Sequence, residues 1–90
     1  MKKYVIEREI PGVDQLDAEQ LKGAAATSNA ALAKLAPRVQ WVESFVTKDK
    51  TFCVYLAEDE AVIREHADLS GFPASRITEV AGVISPVTAS

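Results

Sequence analysis

The side chains in this chain that could carry chemistry are one histidine, two glutamates and one tyrosine. His66 is the only histidine among the 90 residues, and it lies in a short helical segment that stops at Gly71. Glu7 and Glu43 lie in two strand-like runs, and Tyr55 lies in a third. An imidazole beside carboxylates can move a proton, and the same groups are ligands for a divalent metal ion. His66 therefore anchors each hypothesis about function.

The register of one predicted hairpin decides whether Glu43 can reach His66. If Thr47 pairs with Lys50 across an even turn, Glu43 points in the same direction as Phe52, into an apolar layer beneath the helices. An odd turn would reverse Glu43 relative to Phe52. The odd turn usually needs a glycine with a positive φ angle, and this loop has none, so the sequence favours the even turn.

A buried Glu43 carboxylate would need a partner, because an unpaired charge in an apolar layer is costly or has a raised pKa. His66 borders the inward stripe of its helix, and either Glu7 or Arg8 must also face inward, since neighbours on a strand point opposite ways. Glu7, Glu43 and His66 could thus converge, as a metal site of two carboxylates and one histidine or as acid–base groups. Solvated glutamates and a hydrogen-bonded, structural His66 are the alternatives.

The elements that must position these groups alternate along the chain. Runs of β-branched and aromatic residues predict strands over residues 4–10, 39–47, 51–57 and 77–84. Asp17 and Gln20 have the spacing of a capping box, so a helix begins there and runs to Pro37. Three acidic residues, 58–60, predict the start of a second helix that ends at Gly71.

The order strand, helix, strand, strand, helix, strand predicts a single domain over residues 1–90 of the α+β class. It is typical of a ferredoxin-like βαββαβ sandwich, with one four-stranded antiparallel sheet and both helices on one face. The other face of the sheet is left open, with an apolar area that includes some of Val42, Val46, Tyr55 and Val80. Because exposed patches of that kind usually mark an interface, we expect a homodimer through the open sheet face. A monomer with a half-polar face is the alternative.

The composition of the chain argues against some classes of binding partner. The net charge is -3 and the isoelectric point is near 5.0, with scattered basic residues, which argues against nucleic acid. An RNA-recognition module has the same order of elements, but residues 50–55 only half resemble its base-stacking strand. The sequence predicts neither a secretory signal nor a membrane helix. One cysteine, Cys53, excludes sulfur-cluster ferredoxins and copper chaperones and fits the reducing cytoplasm.

Several motifs together resemble a small bacterial family of unknown physiological role. They cover nearly the whole chain: Tyr4-Val5-Ile6-Glu7-Arg8 with Pro11-Gly12, Trp41-Val42, Ser44-Phe45-Val46-Thr47, Asp49-Lys50, Cys53-Val54-Tyr55, Ile63-Arg64-Glu65-His66-Ala67 and Gly71-Phe72-Pro73-Ala74. The resemblance implies a ferredoxin-like fold and a dimeric α/β barrel. Some members of the family are described as nickel-binding, which implies a divalent metal as a cofactor here, with His66, Glu43 and Glu7 as the candidate ligands.

An enzyme is the alternative that the predicted architecture suggests. Dimeric ferredoxin-like barrels include cofactor-independent monooxygenases, isomerases and cyclases that bind small hydrophobic acids or polyketide-like molecules between sheet and helices. By that analogy His66 would transfer a proton, and Glu43 or Glu7 would orient its other ring nitrogen. The predicted pocket is lined by Trp41, Phe45 and Tyr55, and the candidate catalytic residues are His66, Glu43 and Tyr55.

Overall fold

Four strands form one antiparallel sheet, and two helices cover one of its faces. The computed structural model describes residues 1–90, with strands β1 (Lys2–Glu9), β2 (Val39–Val46), β3 (Lys50–Ala57) and β4 (Arg76–Glu79) and helices α1 (Ala18–Leu35) and α2 (Glu60–Ser70). Two short 3-10 turns lie at Val13–Gln15 and Pro86–Ala89. The sheet order is β2-β3-β1-β4, so the predicted ferredoxin-like α+β fold is confirmed. Neither helix has the length and apolar character needed to span a bilayer.

Local sequence signals set the helix ends. The Asp17 carboxylate accepts from the Gln20 backbone N–H at 2.8 Å, and the Gln20 side chain accepts from the Asp17 N–H at 3.0 Å. This capping box satisfies amide donors that have no partner within α1. Asp59 caps α2 in a similar way by accepting from the Val62 N–H at 3.0 Å. Gly71 then ends α2 in the left-handed region with φ 78°.

The core lies between the helices and alternate residues of the two central strands. Tyr4 and Ile6 of β1 point toward the helices, and Ile6 is fully buried. Val62 and Ile63 of α2 cover them, each about 1% exposed. The remaining members of this cluster are Leu35, Val39, Cys53, Tyr55 and Ala57. Burial of this single apolar layer is the main term that stabilises the fold.

The last strand is shorter than the sequence pattern indicates. It was expected over residues 77–84, but β4 covers only Arg76–Glu79. Tyr4 pairs with Glu79, and the backbone N–H of Val80 donates to Lys3 at 2.8 Å. Because β1 begins at Lys2, it offers no ladder partner to residues from 82 onward. An apolar run therefore continues beyond the strand as exposed chain.

The hairpin between β2 and β3 has the predicted even turn. It also has an irregularity within β2 that the sequence did not indicate. The Thr47 backbone N–H donates to the Lys50 carbonyl at 2.9 Å, as expected for that turn. Farther along, a β-bulge at Val42 shifts the register, and Trp41 pairs with Tyr55. A bulge inserts one residue into a strand and so changes which side chains share a face. Trp41 consequently lies on the helix-covered face.

Candidate functional site

The sheet separates the two predicted glutamates from His66. Glu43 is exposed on the face away from the helices, and Glu7 lies on that same face, where its Oε1 is 3.5 Å from the Lys50 Nζ. His66 lies on the other side of the sheet and is 1% exposed. The expected convergence of Glu7, Glu43 and His66 is therefore wrong. No three His, Cys, Asp or Glu side chains in the chain are grouped closely enough to hold a metal ion.

The physical reason is the orientation of β3. The even turn does place Glu43 and Phe45 on the same face as Phe52, as expected, but that face is the open one. The face under the helices instead carries the small residues Thr51 and Cys53 together with Tyr55 and Ala57. The expectation that Phe45 lines the pocket is wrong for this reason, and Tyr55, one of the four candidates for the open face, lies under the helices instead. Val46 also belongs to the helix side, although it is 47% exposed.

His66 contacts a hydroxyl group on one other element and an aromatic ring on a second. Its Nε2 atom lies 3.1 Å from the hydroxyl of Ser28 on α1, and its ring centroid lies 5.3 Å from that of Tyr55 on β3. The Nδ1 atom is buried with no hydrogen-bond partner. Burial, with the positive charge of Arg8 as the second cause, lowers the pKa of His66. The imidazole is thus held in its neutral form at neutral pH.

Tyr55 is close to the same groups. Burial raises the pKa of its phenol, and the charge of Arg8 opposes part of that increase. The guanidinium carbon of Arg8 lies 5.9 Å from the centre of the Tyr55 ring, within the range of a cation–π contact. The structure therefore brings together two of the three predicted catalytic residues, Tyr55 and His66, and leaves Glu43 apart from them.

A cavity of about 410 Å³, which we call the α1 cavity, lies between α1 and the sheet. The N-terminal half of α1 presents the small residues Ala24 and Ala25 to the sheet, and these do not fill the space. The predicted lining residues Trp41 and Tyr55 are confirmed. The other walls include Arg8, Val13, Leu16, Ser28, Ser44, Thr51, Cys53 and Phe72. A second depression of about 560 Å³, beside the C-terminal end of α2, is more open and shares only Phe72 and Pro73 with the α1 cavity.

The α1 cavity opens to solvent at one side. Leu21 of α1 and Val46 of β2 line it and are 39% and 47% exposed. At the inner end, Arg8, Ser28 and Thr51 are all under 9% exposed. The cavity thus has an apolar entrance at an edge of the sheet and a polar inner wall.

Arg8 is a candidate site residue to which the sequence argument assigned no role. It is 2% exposed, and its Nη1 donates to the Pro73 carbonyl at 2.9 Å and to the Phe72 carbonyl at 3.5 Å. Its Nη2 is buried without a hydrogen-bond partner, and no carboxylate forms an ion pair with it. The sequence of β1 does indicate that Arg8 points inward, because Tyr4, Ile6 and Arg8 are alternate residues of the strand and share one face.

The chain is similar to known proteins in sequence and in fold. The family model described as "Nickel responsive protein SCO4226-like" matches residues 4–80. The chain belongs to the SCO4226-like family. The crystal structure of SCO4226 from Streptomyces coelicolor A3(2) covers 91% of this chain and 99% of its own, with 20% identity and a TM-score of 0.72. Identity that low shows a shared fold alone. No curated protein sequence matches the chain.

The family assignment confirms the resemblance found in the motifs. The matched segment ends at Val80, so residues 81–90 lie outside what the SCO4226-like family model describes. The matched segment includes Arg8, Ser28, Tyr55 and His66. The α1 cavity is therefore built from the part of the chain that carries the family relationship.

Proposed function

We propose that this protein binds a small, largely apolar molecule in the α1 cavity. The observation that carries this proposal is the cavity itself, about 410 Å³ in volume, lined mostly by apolar side chains and open at one side. Protein interiors are close-packed and rarely leave voids much larger than a water molecule. Ligand pockets occupy roughly 300 to 1,000 Å³ and combine an apolar lining with a few polar groups. The α1 cavity has both properties.

Filling the cavity from α1 should abolish binding. Ala25 lines the cavity, whereas Ala26 is exposed on the same helix and does not. We expect Ala25→Phe to weaken binding of 4-phenylbutanoate, octanoate and their uncharged amides at least about tenfold, because the ring occupies the ligand's space. The matched variant Ala26→Phe should bind like the wild type. Trp41, the sole tryptophan, lines the cavity and reports binding by its fluorescence.

Failure of all four probes to bind the wild-type protein, in fluorescence or in calorimetry, would contradict the proposal. Equal binding by wild type and Ala25→Phe would place the ligand at another site and contradict it as well.

We also propose that the protein is a homodimer through the open sheet face. Val42 and Phe45 on that face are 50% and 53% exposed. The half-buried side chains beside them are also apolar, namely Val5, Phe52, Val54 and Leu56. An apolar patch of this kind, bordered by Glu7 and Glu43, supports an interface, and a second copy would bury it symmetrically.

A charge on the open face should separate the dimer. We expect Phe45→Glu to give monomers at micromolar concentration, because the carboxylate would lose its hydration in the interface. Leu69→Glu is the matched control, since Leu69 is 50% exposed on α2, away from the sheet. Light scattering coupled to size-exclusion chromatography measures the mass. A monomeric wild-type protein would refute the homodimer.

Nickel binding is the second candidate function, and it is favoured by the description of the family. The donor groups of one protomer do not fit such a site. Nickel(II) prefers imidazole nitrogen, but the only imidazole is buried with its Nε2 facing Ser28 and with the positive charge of Arg8 nearby. Glu7 and Glu43 lie across the sheet from it. Any nickel uptake should therefore not depend on His66. In native mass spectrometry of metal-depleted protein, we expect wild type and His66→Ala to take up nickel to the same extent.

A cofactor-independent enzyme acting in the α1 cavity is the remaining candidate. The contact of 3.1 Å between Ser28 and His66 favours it, since Ser28 lines the cavity and the imidazole is neutral. In such an enzyme Ser28 would pass a proton between the ligand and His66, and Tyr55 would hydrogen-bond the ligand. Exchange of the α-protons of 4-phenylbutan-2-one in D₂O tests it. Equal exchange rates in wild type and Ser28→Ala would exclude this role.

We propose that the protein is cytoplasmic. Its one cysteine, Cys53, is buried and forms no disulfide, which is usual in a reducing compartment. Fractionation of the cells that produce the protein tests this location, and recovery outside the cytoplasmic fraction would contradict it.

A further inference from the structure

The strongest unexplained feature of the molecule is the charge of Arg8. A buried guanidinium normally has a carboxylate beside it, because an isolated charge in an apolar interior is expensive. The four ion pairs of the protein are all formed by other residues. Arg8 has only the carbonyl groups of Phe72 and Pro73 and the face of the Tyr55 ring. These neutral contacts leave the positive charge uncompensated.

Arg8 lines the inner end of the α1 cavity, and only one of its two terminal nitrogens has a hydrogen-bond partner. Nη1 is held by the Pro73 carbonyl at 2.9 Å, and this contact fixes the plane of the guanidinium. Nη2 is buried and donates to no protein group. The other polar residues that line the cavity are Ser28, Ser44, Thr51 and Tyr55, and none of them carries a negative charge in its ordinary form. The residues that line the cavity therefore supply no negative charge to Arg8.

We propose that the α1 cavity recognises a monocarboxylic acid with an apolar body, whose carboxylate pairs with the Nη2 side of Arg8. This inference rests on the proposed function and adds the class of ligand to it. One buried cation matches one negative charge, so a monoanion neutralises the site and a dianion would leave a charge unpaired. The planar guanidinium donates to carboxylates in a fixed geometry. The apolar part of the acid contacts the alanines of α1 and Trp41 toward the entrance.

Paired acids and amides test the carboxylate directly. Wild-type protein is titrated with 4-phenylbutanoate, 2-naphthoate and octanoate, and separately with the primary amide of each, in a calorimeter. Each pair has the same apolar body and differs in charge. We expect the acid to bind about 10- to 100-fold more tightly than its amide, as a charge-assisted hydrogen bond would give. In Arg8→Met the ratio should fall to about one.

Arg76→Met is the matched control, because Arg76 is an exposed arginine of strand β4 and does not line the cavity. It should keep the wild-type ratio. If Arg8→Met does not fold, the guanidinium ¹⁵N–¹H resonances of Arg8 in wild-type protein provide the second measurement, and they should shift with the acids and not with the amides.

Two results overturn the inference in different ways. Equal affinity of acid and amide for the wild-type protein would remove the role of Arg8 and leave the α1 cavity as a binding site. No binding of any acid or amide would remove the proposed function, and the ligand class with it.

Discussion

Replacing Ile6 by alanine is expected to lower the free energy of unfolding by about 3 to 4 kcal/mol, the middle of the range for fully buried aliphatic residues. Ile6 is 0% exposed and lies at the centre of the core cluster between β1 and α2. Alanine removes three carbon atoms and leaves a void that the surrounding helices and strands cannot fill. Domains of this size have a total stability of only about 5 to 13 kcal/mol, so the loss is a large share of it.

Urea denaturation followed by circular dichroism measures this effect. Leu69→Ala is the control, because Leu69 is 50% exposed on α2 and should cost less than about 1 kcal/mol. Both variants and the wild type are compared at one protein concentration, since dimerisation would add to the apparent stability. A loss below about 1 kcal/mol for Ile6→Ala would contradict the core described above.

The second large effect is a loss of stability as the pH falls below about 6.5, the ordinary pKa of histidine in an unfolded chain. In the folded protein burial, and then the charge of Arg8, lowers the pKa of His66. As the pH falls, the unfolded chain therefore takes up a proton before the folded protein does. The stabilising contribution of the neutral imidazole is complete above the unfolded pKa and is lost as the pH falls toward the lower, folded pKa.

A single titrating group can change the free energy of unfolding by at most about 1.4 kcal/mol per pH unit. Urea denaturation at a series of pH values from about 7.5 to 5 measures the slope, in a range where most carboxylates remain ionised. His66→Gln is the matched variant, because glutamine can still hydrogen-bond to Ser28 and does not titrate. Its stability should be nearly constant across this range. An equal slope in both proteins would exclude His66 as the cause.

The fold could be predicted because its signals are local. The capping pair Asp17 and Gln20, the acidic start of α2 and the stop at Gly71 each act within a few residues of the chain. Alternating strand and helix patterns then leave few arrangements that share one core. The family resemblance rested on motifs from these same elements, and the matched residues 4–80 confirm it.

The site could not be predicted to the same extent, because β3 is apolar on both of its faces. Phe52, Val54 and Leu56 on one side are as hydrophobic as Cys53 and Tyr55 on the other, so the pattern does not tell which side meets the helices. That single ambiguity placed Glu43 with His66 although they lie on opposite faces. The bulge at Val42 was not predicted either, since nothing in the composition of β2 signals it, and it is the bulge that places Trp41 on the helix-covered face.

Arg8 was hidden for a different reason. A charged residue on a strand is normally assigned to the solvent side, and Glu7 next to it was an equally good candidate for the inward position. The choice between them depends on Tyr4 and Ile6, which both point inward, because Arg8 follows Ile6 at the same two-residue spacing. Counting that alternation to the end of β1 identifies the buried guanidinium.

The bulge at Val42 has a consequence for how proteins with this fold can diversify. Trp41 and Glu43 are two positions apart and would share a face in a regular strand. The bulge places them on opposite faces, with the indole of Trp41 at the cavity and the carboxylate of Glu43 in solvent. Substitutions at Trp41 or Ser44 can reshape what the interior accepts while the outward positions keep their contacts. The proposed ligand site and the proposed dimer interface can therefore change independently, although a single segment of eight residues encodes parts of both.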